Sequence, residues 1–366
     1  MEKKRKIIFT VTNDLSFDQR MQKICSALAE EGYQVVLVGR KLPSSQKLQE
    51  RNYLQKRLRC YINKGFLFYL EYNVRLLIYL LFSKFDIVSS VDLDTISPCA
   101  IIAKLKRKKL VFDAHEYFTQ VPEVVDRKGV QRVWSWIEKT FVPQADLCYT
   151  VGEKLAENFT TRLKCKFYVI RNTPKLDESI LHAELSIPEK KFILYQGALN
   201  KARGIENMIL AMQQLDIEFH IVGEGDLSDI LKKLVKENNL ENKVKFLGYM
   251  TPEELRGYSK RAFLGLNVSE NVGLSYFYSL NNKFFDYVHA LLPSLLNKFP
   301  EYENLNQIQE VGILTDSRPE DLVAKTRLAI ANNQYYMQLK RNCQRAAQIW
   351  NWENEKKQLI TLYARI

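Results

Sequence analysis

Residues 197–204 read GALNKARG, a glycine-bounded stretch between an apolar run and an amphipathic one. KFILYQG (191–197) predicts a strand ending at Gly197, and Ile205 to Leu215 predicts a helix. A glycine turn in that place lets backbone N–H groups approach phosphate oxygens, and Arg203 adds a fork suited to bidentate hydrogen bonds. Lys201 supplies a further cation in the same turn. The plain alternative is an exposed arginine on a strand–helix turn. Lys283 and Asp286 in NNKFFDYV are three residues apart, which puts them on one face of a helix. The plain alternative for Asp286 is a solvated helix carboxylate.

A second set of polar residues lies in the N-terminal half. His115 in DAHEYF follows a strand ending near Phe112 and is one of only four histidines. A neutral imidazole both donates and accepts hydrogen bonds, which suits a binding site. Asp113 and Glu116 are equally ready partners for a purely structural histidine. Asp92 and Asp94 in SVDLDT follow another strand. Either can orient a hydroxyl, or they cap a helix that begins near Ser97-Pro98. Asn13, Asp14, Asp18 and Arg20 fill the connection between the first strand and the first helix.

The elements that must position these residues alternate in a strand–helix–strand rhythm, the signature of parallel sheets. Lys6–Val11, residues 33–39 and a helix between them from Asp18 to Glu31 make a first unit of this kind. Further strands are expected at Asp86–Ser89, Lys109–Phe112, Leu147–Tyr149 and Phe167–Ile170. RNTPKLDES (171–179) interrupts the rhythm, which restarts at 191–197, 218–225, 243–249 and 262–268. Thr251-Pro252-Glu253-Glu254 opens a helix with a cap, a first-turn proline and two acids. The fold class is therefore α/β: two doubly wound parallel-sheet domains of similar size facing across a cleft. Expected boundaries are an N-terminal domain over 1–172, a linker over 173–190, a C-terminal domain over 191–345, and a C-terminal helix over 346–366 returning to the first domain. Open parallel sheets bind ligands beyond the C-terminal ends of their strands, where most of the polar residues above fall.

The chain has 366 residues, long enough for two cores. It carries 54 Lys and Arg against 42 Asp and Glu, a net charge of +12. That excess suits a polyanionic neighbour: nucleic acid, anionic lipid or phosphate-bearing substrates. No recognised nucleic-acid module appears, so nucleic acid is not expected as a partner. The six cysteines are scattered with no C-x-x-C pair, which predicts reduced, buried thiols and no metal site. The N-terminus reads as a first strand rather than a signal peptide. No run of about twenty uncharged apolar residues suggests a membrane span. Residues 41–64 hold seven Lys or Arg and one Glu, and GFLFYLEYNVRLLIYLLFSKF (65–85) follows, interrupted by Glu71, Asn73 and Arg75. A basic run before an aromatic amphipathic helix suits contact with an anionic membrane surface; the alternative is a core helix behind a solvated loop.

Eight segments, in order, resemble family 4 of the glycosyltransferases: SVDLDT (90–95), FDAHEYF (112–118), ADLCYTVGEKLAENF (145–159), VIRNTP (169–174), YQGALNKARGIENMILAM (195–212), FHIVGEGD (219–226), KFLGYMTPEEL (245–255) and SLNNKFFDYVHALLP (279–293). The resemblance implies the GT-B fold of two Rossmann-like domains and a retaining transfer of a sugar from a nucleoside-diphosphate sugar, UDP- or GDP-linked, to a hydroxyl. It implies no metal or other cofactor. It makes Gly197, Asn200, Lys201, Arg203, Gly223, Gly248, Glu270, Gly273, Leu274, Lys283 and Asp286 donor-binding. Arg203 and Lys283 face the diphosphate, Asp286 takes the place of a ribose-binding glutamate, and the Glu270–Leu274 loop cups the sugar. His115 becomes a site histidine beside the donor sugar. Asn13, Asp14, Asp18, Arg20, Asp92 and Asp94 become acceptor contacts, and the acceptor is a glycan or lipid-linked glycan of bacterial surface polysaccharide synthesis. The implied location is cytoplasmic, peripheral on the inner face of the plasma membrane.

Three positions depart from the family pattern. The arginine that follows the first turn glycine is Ala198. With seven residues between the two glutamate positions, the first falls on Tyr278, so Glu270 fits only if residues are inserted between Leu274 and Asp286. The glycine before Leu-Pro is Leu291. These departures leave open a catalytically degenerate nucleotide-sugar-binding partner, and a sugar-nucleotide epimerase or hydrolase of the same fold is a further alternative.

Overall fold

The computed structural model describes residues 4–366. The chain divides into two compact units, Met1–Asn172 with Glu355–Ile366, and Thr173–Asn354.

The first unit is built on seven parallel strands: β1 (Lys6–Thr10), β2 (Gln34–Lys41), β3 (Leu54–Arg59), β4 (Ile87–Val91), β5 (Lys109–Ala114), β6 (Leu147–Thr150) and β7 (Phe167–Val169), in the order β3-β2-β1-β4-β5-β6-β7. Ile7, Ile8 and Phe9 of β1 are fully buried, as a continuous apolar run requires when helices cover both faces of a parallel sheet. Ile8 is in register with Val36 on one side and Val88 on the other. Strand order reverses between β1 and β4, so the ligand-binding crevice of this unit is expected beyond their C-terminal ends. β3 lies in the stretch expected as a basic loop. Its sequence, LQKRLR, is tolerated because it is an edge strand pairing only with β2, where lysine and arginine also discourage pairing with another chain.

The helix Gly65–Phe82 buries Phe68, Tyr72, Leu76 and Leu80, one stripe at four-residue spacing. Tyr72 Oη donates to the carbonyl of Val11, which fixes the helix to the end of β1. The other faces are open: Phe66 is 71% and Phe82 83% exposed. Among the described residues this is the one helix long and apolar enough, by length and composition, to cross a membrane. The sequence reading had excluded a span because of its polar interruptions. Those residues are satisfied locally: Arg75 Nε donates to Glu71 Oε1 at 2.8 Å, and Asn73 Nδ2 donates to the Asp94 carbonyl at 2.9 Å.

The second unit has six parallel strands, β8 (Phe192–Gln196), β9 (Glu218–Val222), β10 (Val244–Phe246), β11 (Leu264–Asn267), β12 (Ser294–Asn297) and β13 (Gly312–Thr315), in the order β10-β9-β8-β11-β12-β13. Its reversal falls between β8 and β11. Thr251 caps the helix Pro252–Ser259 through a reciprocal pair: Glu254 N donates to Thr251 Oγ1 at 3.3 Å, and Thr251 N donates to Glu254 Oε2 at 2.8 Å. The stretch 173–190, expected as a linker, belongs to this unit. Ile180 is buried in the same apolar cluster as Phe284 and Trp350. Residues 346–354 belong here too, with Ala346, Ala347 and Trp350 in that cluster. From Glu355 onward the chain is part of the first unit: Glu355 Oε2 accepts from Arg171 N at 2.9 Å, and Tyr363 is fully buried.

All six cysteines are free, five of them buried. Among the described residues no group of His, Cys, Asp or Glu is arranged to hold a metal ion.

If one buried stripe holds Gly65–Phe82 in place, Leu76→Ala costs about 2–5 kcal/mol of stability, while Val74→Ala, on an exposed position of the same helix, stays within about 0.5 kcal/mol. Chemical denaturation of the two variants beside the parent checks the difference; equal losses contradict the packing.

Candidate active site

In the second unit three turns leave the C-terminal ends of neighbouring strands. Gly197 N donates to the Val222 carbonyl at 3.0 Å, and Gly223 N donates to the Gly248 carbonyl at 2.8 Å. Gly223 has φ +133°, and a Cβ there would come within 2.0 Å of the Gly197 carbonyl oxygen. Only glycine fits this approach. The turns pack backbone on backbone at this edge of the sheet.

Arg203 and Lys283 stand at this edge. Arg203 Nη1 donates to Asn281 Oδ1 at 3.3 Å, and its guanidinium lies 5.4 Å from the centre of the Tyr276 ring. The Lys283 ammonium is buried 3.9 Å from the centre of the Tyr195 ring and has no hydrogen-bond acceptor. Burial, and then the neighbouring Arg203, hold its pKa well below the ordinary lysine value. Among the described residues neither side chain has a carboxylate within ion-pair distance. Asp286 Oδ2 instead accepts from Gln196 Nε2 at 3.0 Å.

The structure gathers most of the predicted residues of this half. Asn200 and Lys201 lie in the turn that carries Arg203, with Lys201 exposed. Glu270 N donates to the Ala202 carbonyl at 2.9 Å, so Glu270 joins this loop despite its altered spacing. Burial, and then Glu206, raise its pKa. The intervening residues form a short helix, Leu274–Phe277, which starts after Gly273 and carries Tyr276 to Arg203. Leu291, where the family has glycine, keeps a left-handed backbone with φ +55°. Gln196, Tyr195, Tyr276 and Asn281 were not singled out from sequence. Gln196 alone carried a signal, as a polar residue closing an apolar strand.

In the first unit a charged cluster lies at the ends of β4 and β5. His115 Nε2 is 3.0 Å from Asp113 Oδ2, and Nδ1 is 3.7 Å from Asp92 Oδ2. His115 N donates to Asp92 Oδ1 at 2.8 Å. Burial works against the imidazolium, but Asp113 and Asp92 outweigh it and raise its pKa to about 9. The expected neutral donor–acceptor is therefore a cation at neutral pH, with both nitrogens protonated. Burial raises Asp92 to about 6, and His115 opposes the shift; burial raises Asp94 to about 6, against a hydrogen bond from Thr12. Asp92 has φ +57° and makes no side-chain cap to the turn that follows it. The capping alternative thus fails for its side chain.

The loop residues behave differently from the expectation of acceptor contacts. Arg20 is corrected outright. It is 6% exposed, with Nη2 donating to Asp113 Oδ1 at 3.0 Å and Nη1 to the Ile170 carbonyl at 2.8 Å. The helix Gln19–Glu30 turns it into the core, where it anchors the carboxylate that holds His115. Asp18 Oδ1 caps that helix by accepting from Met21 N at 3.0 Å, and Asp18 Oδ2 accepts from Asn13 Nδ2 at 2.7 Å. Asp14 accepts from Ser16 and Ser45. Burial pushes its pKa up, and these hydrogen bonds bring it below the ordinary value. Asn13, Asp14 and Asp18 order the loop rather than meet in one cluster with His115.

The raised His115 pKa fixes a sign. Its pairing with Asp113 contributes stability in full below the ordinary histidine pKa of 6.5, and the contribution disappears as pH rises through about 9. NMR titration of the imidazole is expected to give a midpoint near 9 in the parent protein and one displaced toward 6.5 in Asp113→Asn. A parent midpoint at or below 6.5 contradicts the geometry.

Two families match consecutive stretches of the chain: Glycosyltransferase Family 4 over residues 19–177 and Glycosyl transferases group 1 over residues 177–275. A relative from Campylobacter jejuni, named N-acetylgalactosamine-N,N'-diacetylbacillosaminyl-diphospho-undecaprenol 4-alpha-N-acetylgalactosaminyltransferase, is 38% identical over 114 residues, which are 29% of this chain and 31% of the relative. The match thus spans less than a third of that protein. Among solved structures, sucrose-phosphate synthase from Thermosynechococcus elongatus aligns with a TM-score of 0.80 at 17% identity, over 99% of both chains. Anabaena HepE, crystallised in complex with UDP and glucose, aligns with a TM-score of 0.77 at 16% identity, over 99% of this chain and 100% of that one. The fold is GT-B, two Rossmann-like α/β units, and the chain belongs to the group 1, family 4 glycosyltransferases.

Proposed function

We propose that this protein moves a sugar from a nucleoside-diphosphate sugar, most simply a UDP-sugar, to a hydroxyl of a lipid-linked glycan, with retention at the anomeric carbon. The observation that carries the reading is that Arg203 and Lys283 stand together beside the glycine turns with no ion-pair carboxylate among the described residues. Two adjacent cations without carboxylates suit a dianionic diphosphate, and they stabilise the charge that develops on it as it leaves. Asp286, which accepts from Gln196, takes the place of the carboxylate that accepts from the ribose hydroxyls. The loop from Glu270 to Leu274 borders the donor sugar.

In this reaction the bond from the anomeric carbon to the β-phosphate oxygen breaks. A bond to the acceptor oxygen forms on the same face, and the acceptor proton passes to the departing diphosphate. No protein nucleophile and no metal or other cofactor take part. His115, as an imidazolium, donates a hydrogen bond to a sugar hydroxyl and does not serve as the base. Asp92 and Asp94 accept from hydroxyls once ionised, so activity rises as pH climbs through about 6. The Campylobacter relative's name places a diphospho-undecaprenol glycan in its reaction, which favours a lipid-linked acceptor here. The open faces of Gly65–Phe82, together with the +12 charge, suit peripheral contact with an anionic membrane on the cytoplasmic side.

Transfer of label from UDP-sugars to a membrane extract tests the reading. Arg203→Ala and Lys283→Met are each expected to lose about 10²–10³ in rate while keeping a folded circular dichroism spectrum. Full activity in either variant refutes its role at the diphosphate.

A further inference from the structure

The N-terminal edge of the second sheet, opposite the glycine turns, holds a cavity of about 630 Å³. Phe192, the first residue of β8, and Leu291, just before β12, line it. Residues 179–190 cover it, held by Gln344 Nε2 donating to the Ile180 carbonyl at 2.8 Å. Its size is that of a small-molecule site.

The wall is apolar at Ile180, Leu185 and Leu291, yet Lys340 also lines it. Lys340 is 7% exposed, and among the described residues its ammonium has no hydrogen-bond acceptor or carboxylate partner. Its nearest cation contact is the Tyr336 ring, at 5.9 Å from the centre. Arg261, at the same cavity, is likewise unpaired and lies 4.8 Å from the centre of the Tyr258 ring. The other cations there are matched: Lys190 with Glu218 at 3.2 Å, and Lys260 with Asp177 at 3.5 Å. Glu184 and Glu189, also on the lining, are exposed and paired with neither Lys340 nor Arg261.

Lys340 keeps most of its side chain buried although a long side chain on a helix has room to carry its charge fully into water, and its ammonium is left at the cavity wall. We infer that this cavity is a second ligand site, separate from the glycine-turn edge, for a small amphiphilic anion: one phosphate or carboxylate group held by Lys340 and Arg261, on an apolar body lying against Ile180, Leu185 and Leu291. Burial lowers the pKa of Lys340, and a bound anion reverses that shift. The inference does not depend on the transferase reading, because no residue is shared with the Arg203–Lys283 edge.

Isothermal titration with hexyl phosphate, inorganic phosphate and 1-hexanol tests it on the full chain. Hexyl phosphate is expected to saturate one site, and the other two to bind at least tenfold more weakly. Lys340→Met should weaken hexyl phosphate about tenfold or more. Arg261→Ala, a surface change, should weaken it less. Binding should persist with saturating UDP and in Arg203→Ala. Failure of hexyl phosphate to saturate, equal affinity in Lys340→Met, equal binding of inorganic phosphate, or loss of binding with UDP or in Arg203→Ala each overturns the proposal. The last two place the anion at the glycine-turn edge instead.

Discussion

Lys283 keeps its amine out of water beside a guanidinium, and among the described residues no carboxylate reaches ion-pair distance; Asp286 acts on it only from farther off. Both burial and like charge disfavour that arrangement. It persists because the residues around it are fixed for other reasons. Phe284, next in the chain, is fully buried with its ring centre 5.7 Å from Tyr302 and 5.6 Å from Trp350. Asn281, before the helix Asn282–His289, donates its N–H to Tyr302 Oη at 3.0 Å. Apolar packing places the helix, and the helix places the cation. The glycine turns place Arg203 against it through the Asn281 amide. The site therefore holds both basic side chains in position before any anion arrives, so the donor meets a fixed arrangement at the moment of reaction.

The first unit uses the opposite pattern of charge. Three carboxylates, Asp92, Asp94 and Asp113, are drawn to the ends of β4 and β5, with His115 as the cation between two of them. Arg20 keeps Asp113 ionised from below: burial pushes that carboxyl up, and Arg20 and His115 bring it beneath the ordinary value. Removing Arg20 would leave a buried carboxylate facing only the histidine, a loss far larger than that of a surface pair. The chain of support runs from helix to arginine to aspartate to imidazole.

Strands whose side chains are buried on both faces, such as KIIFT and FILYQ, were legible because an apolar run bounded by turn residues has few other uses. β3 was not, because an edge strand can carry Lys and Arg and so looks like a loop. β12 and β13 were not expected: SLLN follows the apolar run ALLP directly and GILT is a short apolar run between polar helices, so neither stands apart from its neighbours by period. Arg203, Lys283 and Asp286 were legible from local context: a glycine turn after a strand, and three-residue spacing on a helix. Their partners Gln196, Tyr276 and Asn281 were not, since each meets its cation or carboxylate only through the tertiary fold. Arg20 was misplaced for a related reason. Sequence puts it next to a polar loop, but one turn of helix phase aims it at the core. Glu270 failed the family's spacing and still reaches the Arg203 loop, because the helix Leu274–Phe277 absorbs the additional residues.

The central claim is that Lys283 gives up solvation to wait for a diphosphate. Binding should restore its charge, so UDP binding above neutral pH should draw protons from solution. Calorimetry of UDP binding at pH 8–9 in buffers of different ionisation enthalpy measures that uptake. The account predicts net proton uptake in the parent protein that is absent in Lys283→Met. No uptake in the parent protein, or the same uptake in the variant, contradicts it.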